Sequence, residues 1–101
     1  MNISVLTPDR EIFSGPIESV KVPGVQGEFQ VLKNHAPIVS ALDAGKVTIV
    51  TGVGEYRYFD KATNSIQTTS GATRKLEYKI GSGFIEVLNN EVSLLVQGLQ
   101  D

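Results

Sequence analysis

The sequence predicts an all-β fold, an antiparallel sandwich of about ten short strands in two sheets. Three observations predict it: apolar and polar residues alternate along most of the chain, turn-forming residues interrupt the alternation, and they do so every ~8 to 12 residues. With 101 residues, 41% of them hydrophobic, the chain reads as a single domain, 1–101, able to bury roughly two thirds of its unfolded surface.

Taken in order, Ile3 and Val5 share one face of a first run, which ends at Pro8-Asp9. A second run passes Gly15-Pro16 and continues through Val20 and Val22 to Pro23-Gly24. Phe29 and Val31 alternate with Glu28 and Gln30, so the glycines of "PGVQGEFQV" lead into a strand. The segment "HAPIVSALDAG" departs from the pattern. Pro37 suits a first helical turn, Ile38, Ala41 and Leu42 have helical spacing, and Gly45 sits where a C-cap would, so local rules favour a helical turn there. Strand alternation resumes in "KVTIV" with Val47 and Ile49, and turns follow at Gly52-Val53-Gly54 and at Lys61 to Asn64. Thr63 to Thr73, "TNSIQTTSGAT", is rich in Ser, Thr and Gly; it is expected to be an exposed hairpin or loop and the most mobile part of the chain. In "KLEYKI", Leu76, Tyr78 and Ile80 oppose Glu77 and Lys79; Ile85 and Val87 precede an Asn89-Asn90 turn, and "EVSLLVQ" aligns Val92, Leu94 and Val96. One face of each run supplies the expected core: Ile3, Val5, Val20, Val22, Phe29, Val31, Val47, Ile49, Ile85, Val87, Val92, Leu94 and Val96.

Composition excludes several functions. The formal charge is −2 with Lys and Arg scattered, which disfavours nucleic acid as a partner. There is no cysteine for a disulfide or a thiolate metal site. No apolar run approaches the ~20 residues of a membrane-spanning helix, and "MNISVLTPDRE" lacks a signal-peptide layout, so a cytosolic protein is the default. A phosphate loop needs glycines followed by Lys and Ser/Thr at the mouth of a helix, and neither "PGVQGEFQV" nor "TGVGE" opens one. His35 is the only histidine, with no Cys, second His or carboxylate at a metal-ligand spacing; a locally hydrogen-bonded histidine is the plainer reading. Glu86 and Glu91 flank a turn and read as solvated. No catalytic residue, cofactor or metal is assigned, which leaves an interaction module. Tyr56, Tyr58 and Phe59 beside Arg57 are the one cluster that would give a peptide- or sugar-binding module its aromatic platform.

Four pieces in order, "FSG" (Phe13 to Gly15), "VPGVQGEFQVL" (Val22 to Leu32), "HAP" (His35 to Pro37) with Ala41-Leu42 and Gly45, and "GSGFIEVLNNEVSLL" (Gly81 to Leu95), closely resemble the epsilon subunit of F-type ATP synthases. The resemblance implies a β-sandwich and replaces the helical turn after Pro37 by a strand. It also implies a non-catalytic central-stalk subunit beside gamma, at the cytoplasmic face of the inner (plasma) membrane, that carries rotation of the proton-driven c ring to the catalytic head. Gly24, Val25, Gln26, Gly27 and Glu28 match the family loop that faces the c ring; Thr7 and His35 match positions facing gamma. The sequence departs from the family at Gln30 and Lys33-Asn34, where glycine and Pro-Gly are usual, and "RYFDKATNSIQTTSGATRK" looks like an added hairpin. The family's C-terminal helical hairpin has no counterpart before Asp101, and Gly98 to Asp101 is too short for a stable helix, so neither ATP binding nor inhibition by a C-terminal arm is expected.

Overall fold

A computed structural model describes residues 1–60 and 62–99. It contains ten strands: β1 (Asn2–Leu6), β2 (Glu11–Gly24), β3 (Gly27–Leu32), β4 (Ile38–Leu42), β5 (Gly45–Thr51), β6 (Gly54–Asp60), β7 (Ser65–Gly71), β8 (Lys75–Ile80), β9 (Ser82–Leu88) and β10 (Glu91–Gln97). Gln100 and Asp101, the end of the segment read as too short for a helix, lie outside the described residues, as does Lys61 at the start of the turn after β6.

The 14-residue β2 belongs to both layers. Its first half pairs with β1 and, through Phe13↔Tyr58 and Ser14↔Arg57, with β6. Its second half pairs with β3 and β5. One layer therefore runs β7-β6-β2-β1-β10-β9-β4 and the other β3-β2-β5-β8, rejoined where Gly24 meets Leu42. Two irregularities bend β2. The register with β1 skips Ile12, and the register with β5 skips Glu18. Each extra residue breaks strict alternation, so neighbours Ile12 and Phe13, and again Ser19 and Val20, are buried together.

The pairings are antiparallel with one exception, β1 beside β10, which is parallel. The expected sandwich of about ten strands is borne out, and this one parallel pair is the detail that the expectation of antiparallel sheets did not contain. The tight turn to β9 sets the direction of β10, and alternation reports which face a side chain takes but not which way its strand runs. The helical turn that local rules favour after Pro37 does not form, and the strand that the resemblance implies stands there instead. Ile38 to Leu42 pair in full with β9, from Ile38↔Val87 to Leu42↔Gly83, whereas an isolated helix of that length would leave most backbone groups unpaired.

Every residue expected in the core is buried except Phe29, which is half-buried on β3 and packs on the core from its margin. Phe13 is the largest fully buried side chain, its ring centroid 5.2 Å from that of Tyr56. The two strands approach so closely here that a Cβ on Gly15 would collide with Tyr56 Cβ and stand 2.9 Å from its Cα. The glycine of "FSG" is thereby explained: it lets β6 lie on β2.

Gly15→Ala is expected to cost ~1–3 kcal/mol by overpacking, read as a lower urea midpoint with an unchanged slope. A second expectation concerns Tyr78 on β8, opposite Val47. Burial foremost, and the neighbouring Tyr56 second, push its hydroxyl up to about 12 from 10.0. The unfolded chain therefore releases this proton at a lower pH than the folded one. The stabilising contribution is whole below pH 10 and is lost as pH rises to about 12. Ultraviolet titration of the phenolates and urea melts across that window would read both effects, and Tyr78→Phe should remove this part of the pH dependence.

Candidate functional site

The turn between β2 and β3 is a two-residue hairpin. Gly24 and Gly27 pair across it, and Val25-Gln26 form its tip. Both glycines are structural requirements. A Cβ on Gly24 would lie 2.7 Å from the Gly27 carbonyl oxygen and 2.9 Å from the Phe29 ring, and Gly27 has φ 128°, in the region that favours glycine. The Val25 amide donates to the Ala41 carbonyl at 3.3 Å, which clamps the tip to β4. The Val25 side chain is 56% exposed. Glu28 Oε1 stands 3.8 Å from Lys21 Nζ with both side chains largely in solvent, a pair worth at most ~1 kcal/mol that leaves the carboxylate free to meet another charge. Between this turn and β4 lies a groove of about 570 Å³, bordered by Phe29, Ile38 and Val39. Val39 is 72% exposed.

The structure does not bring Thr7 and His35 together. Thr7 follows the C-terminal end of β1, where its hydroxyl accepts from the amides of Asp9 (3.3 Å) and Arg10 (3.2 Å), and its amide donates to the Arg10 carbonyl at 2.8 Å. His35 belongs to the β3–β4 connection, near the other end of β1. There Asn2 N donates to the Asn90 carbonyl, and Asn34 N donates to Asn90 Oδ1 at 2.6 Å. A five-residue strand, about 16 Å long, separates the two ends. The carbonyl of Ala36 lies 2.7 Å from His35 Nδ1 and only accepts, so Nδ1 carries a proton. Asn34 has φ 65°, which explains why Asn stands where the resemblance leads one to expect glycine: it tolerates the left-handed region. Asn89 and Asn90, at φ 51° and 63°, make a two-residue turn in the same region, and Asn90 Nδ2 returns a bond to Asn34 Oδ1 at 3.1 Å.

Sequence reasoning missed an apolar strip on the outer face of the first layer. Leu6 pairs with Leu95, Leu95 with Phe84, and Phe84 with Ala41, which makes one rung across β1, β10, β9 and β4. Phe84 is 58% exposed and Leu95 50%. They border a groove of about 410 Å³ that also takes in Thr7, and Ala41 lies on both this groove and the one beside the Val25 turn. The sequence held a signal for it: "LLV" puts Leu95 on the outward parity between inward Leu94 and Val96. The aromatic platform fails. Tyr56 is 6% exposed and Tyr58 and Phe59 are half-buried, Phe59 beneath the Arg10 guanidinium at 4.3 Å. Among the described residues no three His, Cys, Asp or Glu converge to hold a metal ion.

In class, then, this is a ten-stranded β-sandwich whose features are turns, strand edges and apolar outer faces. The family described as ATP synthase, Delta/Epsilon chain, beta-sandwich domain matches residues 1–70. The ATP synthase epsilon chain of Chlorobaculum tepidum is 37% identical over 95 residues, covering 94% of this chain and 86% of that protein. That of Salinibacter ruber is 31% identical over 101 residues, covering 99% of this chain but 60% of that protein, so the chain spans well under the full length of this relative. Two solved structures share the fold at 18% identity. A chain of the Tetrahymena thermophila mitochondrial ATP synthase central stalk and c-ring superposes with a TM-score of 0.66, over 100% of this chain and 66% of that one. A chain of the Euglena gracilis mitochondrial ATP synthase OSCP/F1/c-ring assembly does so at 0.69, over 97% and 51%. The chain belongs to the ATP synthase delta/epsilon family.

Asn90→Ala should cost ~1–3 kcal/mol, because it leaves the Asn34 amide without its partner and puts alanine in a left-handed turn position. Thermal or urea unfolding reads this, and Asn90→Gly is expected to lose less because it relieves the backbone.

Proposed function

We propose that this chain is the sandwich of a non-catalytic rotor-stalk subunit of F-type ATP synthase, which couples rotation of the proton-driven c ring to the head through gamma. The single observation that carries the reading is the exposed, clamped turn Gly24–Glu28 on a chain of this family. Glycines fix its backbone, Val25 N holds it to β4, and the side chains of Val25, Gln26 and Glu28 face solvent. Glu28 offers a carboxylate, and Val25 and Val39 an apolar contact, to the polar loops of the ring. On the same reading Thr7 and His35 face gamma. Because the two lie at opposite ends of β1, gamma must cover a surface at least one strand long, and the strip from Leu6 to Ala41 is the apolar part of it. No helix among the described residues is long and apolar enough to cross a membrane. The proposed location is peripheral, at the cytoplasmic face, held through the complex. The peptide- or sugar-binding alternative has no such support, since Tyr56 is buried, Tyr58 is half-buried and Phe59 lies beneath Arg10.

Glu28→Lys tests the reading. The isolated domain should keep its stability within ~0.5 kcal/mol, since the substitution is on an exposed turn flank. Complexes carrying it should show weaker coupling between ATP hydrolysis and proton pumping, with head-only hydrolysis unchanged. Full coupling in assembled Glu28→Lys complexes would reduce Glu28 to a solvated turn residue. Failure of the purified chain to bind gamma would overturn the stalk reading itself.

A further inference from the structure

Among the described strands the outer edge of β7 is the longest free edge without a charge; the edge of β4 is also uncharged, but the end of β2 and the β2–β3 turn close it from Ala41 to Asp43. β3 pairs only with β2 and carries Glu28; β8 pairs only with β5 and carries Lys75, Glu77 and Lys79. Charges of this kind keep a sheet edge from pairing with another chain. β7 pairs only with β6 and reads "SIQTTSG", with no charge and no proline. It has no bulge either: its register with β6 is unbroken from Gly54↔Gly71 to Asp60↔Ser65. Arg57, opposite Thr68, is bound to Glu11 at 3.3 Å, so no bare charge flanks the middle of the edge.

We propose that the free edge of β7 pairs with the β7 edge of a second copy of this chain, antiparallel across a twofold axis near Thr68. The occupant is a second copy because the edge is self-complementary. Twofold pairing of identical strands is antiparallel, an uncharged strand does not repel its own image, and Thr-Thr and Ser-Ile neighbours across the axis are compatible cross-strand pairs. Alternate residues of each strand supply the bridging N–H and C=O groups. A seven-residue edge buries far less than the ~1,600 Å² of a standard interface, so the dimer is weak and forms only at high concentration. This inference is independent of the stalk reading.

Analytical ultracentrifugation of the whole chain should show the mass rising from 10.9 kDa towards twice that value with concentration. Backbone amide shifts should move with concentration at alternate residues of 65–71. Thr68→Glu should weaken self-association about tenfold or more, because the new carboxylate faces Arg57 within its own hairpin but meets its own copy across the axis. A monomer throughout the micromolar-to-millimolar range overturns the proposal. So does self-association whose shifts fall outside β7, or one that a folded Thr68→Glu variant leaves intact. If that variant loses the hairpin, the shift pattern of the unsubstituted chain decides alone.

Discussion

The structure depends on one strand serving two sheets. β2 runs through both layers and pairs with β1, β6, β3, β5 and β4, so the layers share backbone hydrogen bonds as well as side-chain packing. Two things make that path possible. The irregularities at Ile12 and Glu18 turn the strand from one layer to the other, and Gly15 lets Tyr56 approach its backbone. The core follows from this bend. Because two consecutive residues turn inward at each irregularity, Ile12, Phe13, Ser19 and Val20 all contribute buried surface from a strand that alternation alone would have half exposed. Among the described residues no fully buried side-chain nitrogen or oxygen is left without a partner. Thr51, fully buried opposite Ile17, accepts from Arg74 N at 2.8 Å through its hydroxyl, while its own amide donates to the Arg74 carbonyl.

How much was legible in the sequence depends on whether a residue's environment is set locally. Val5, Val22, Val47, Ile85 and Leu94 were readable because each lies on a regular strand with one face on the core. Phe29 was misplaced because β3 is an edge strand whose inner face reaches the margin of the core. At Ile38 to Leu42 local rules alone misled, and the resemblance was needed to expect a strand. Proline, helical spacing and a following glycine are local signals, and the partner that decides the matter, β9, lies more than forty residues away in sequence. The parallel pairing of β1 with β10 has no local signature at all.

The candidate site divides along the same line. Gly24 and Gly27 were singled out for contact, but their geometry is fully used in closing the turn, so their presence speaks of folding. Thr7 likewise spends its hydroxyl on the Asp9 and Arg10 amides. Phe84, Leu95 and Val39 escaped notice although they are among the most exposed large apolar side chains of this layer. A pattern read for its buried face draws attention away from its outward positions, and an apolar residue there is informative when several align on one rung.

That alignment joins the turn to the rest of the surface. The Val25 amide is bonded to Ala41, Ala41 pairs with Phe84, Phe84 with Leu95, and Leu95 with Leu6, directly before Thr7. A load applied at the β2–β3 turn therefore reaches the Thr7 end through backbone ladders rather than through a flexible loop. In the sandwich's other direction the same turn continues into β2, which fixes it to both layers. A partner docking on the turn meets a backbone already held in place, so little conformational entropy is lost on binding. For a subunit proposed to transmit rotation, that rigidity is the physical requirement: displacement at one contact must appear at the other without being absorbed between them.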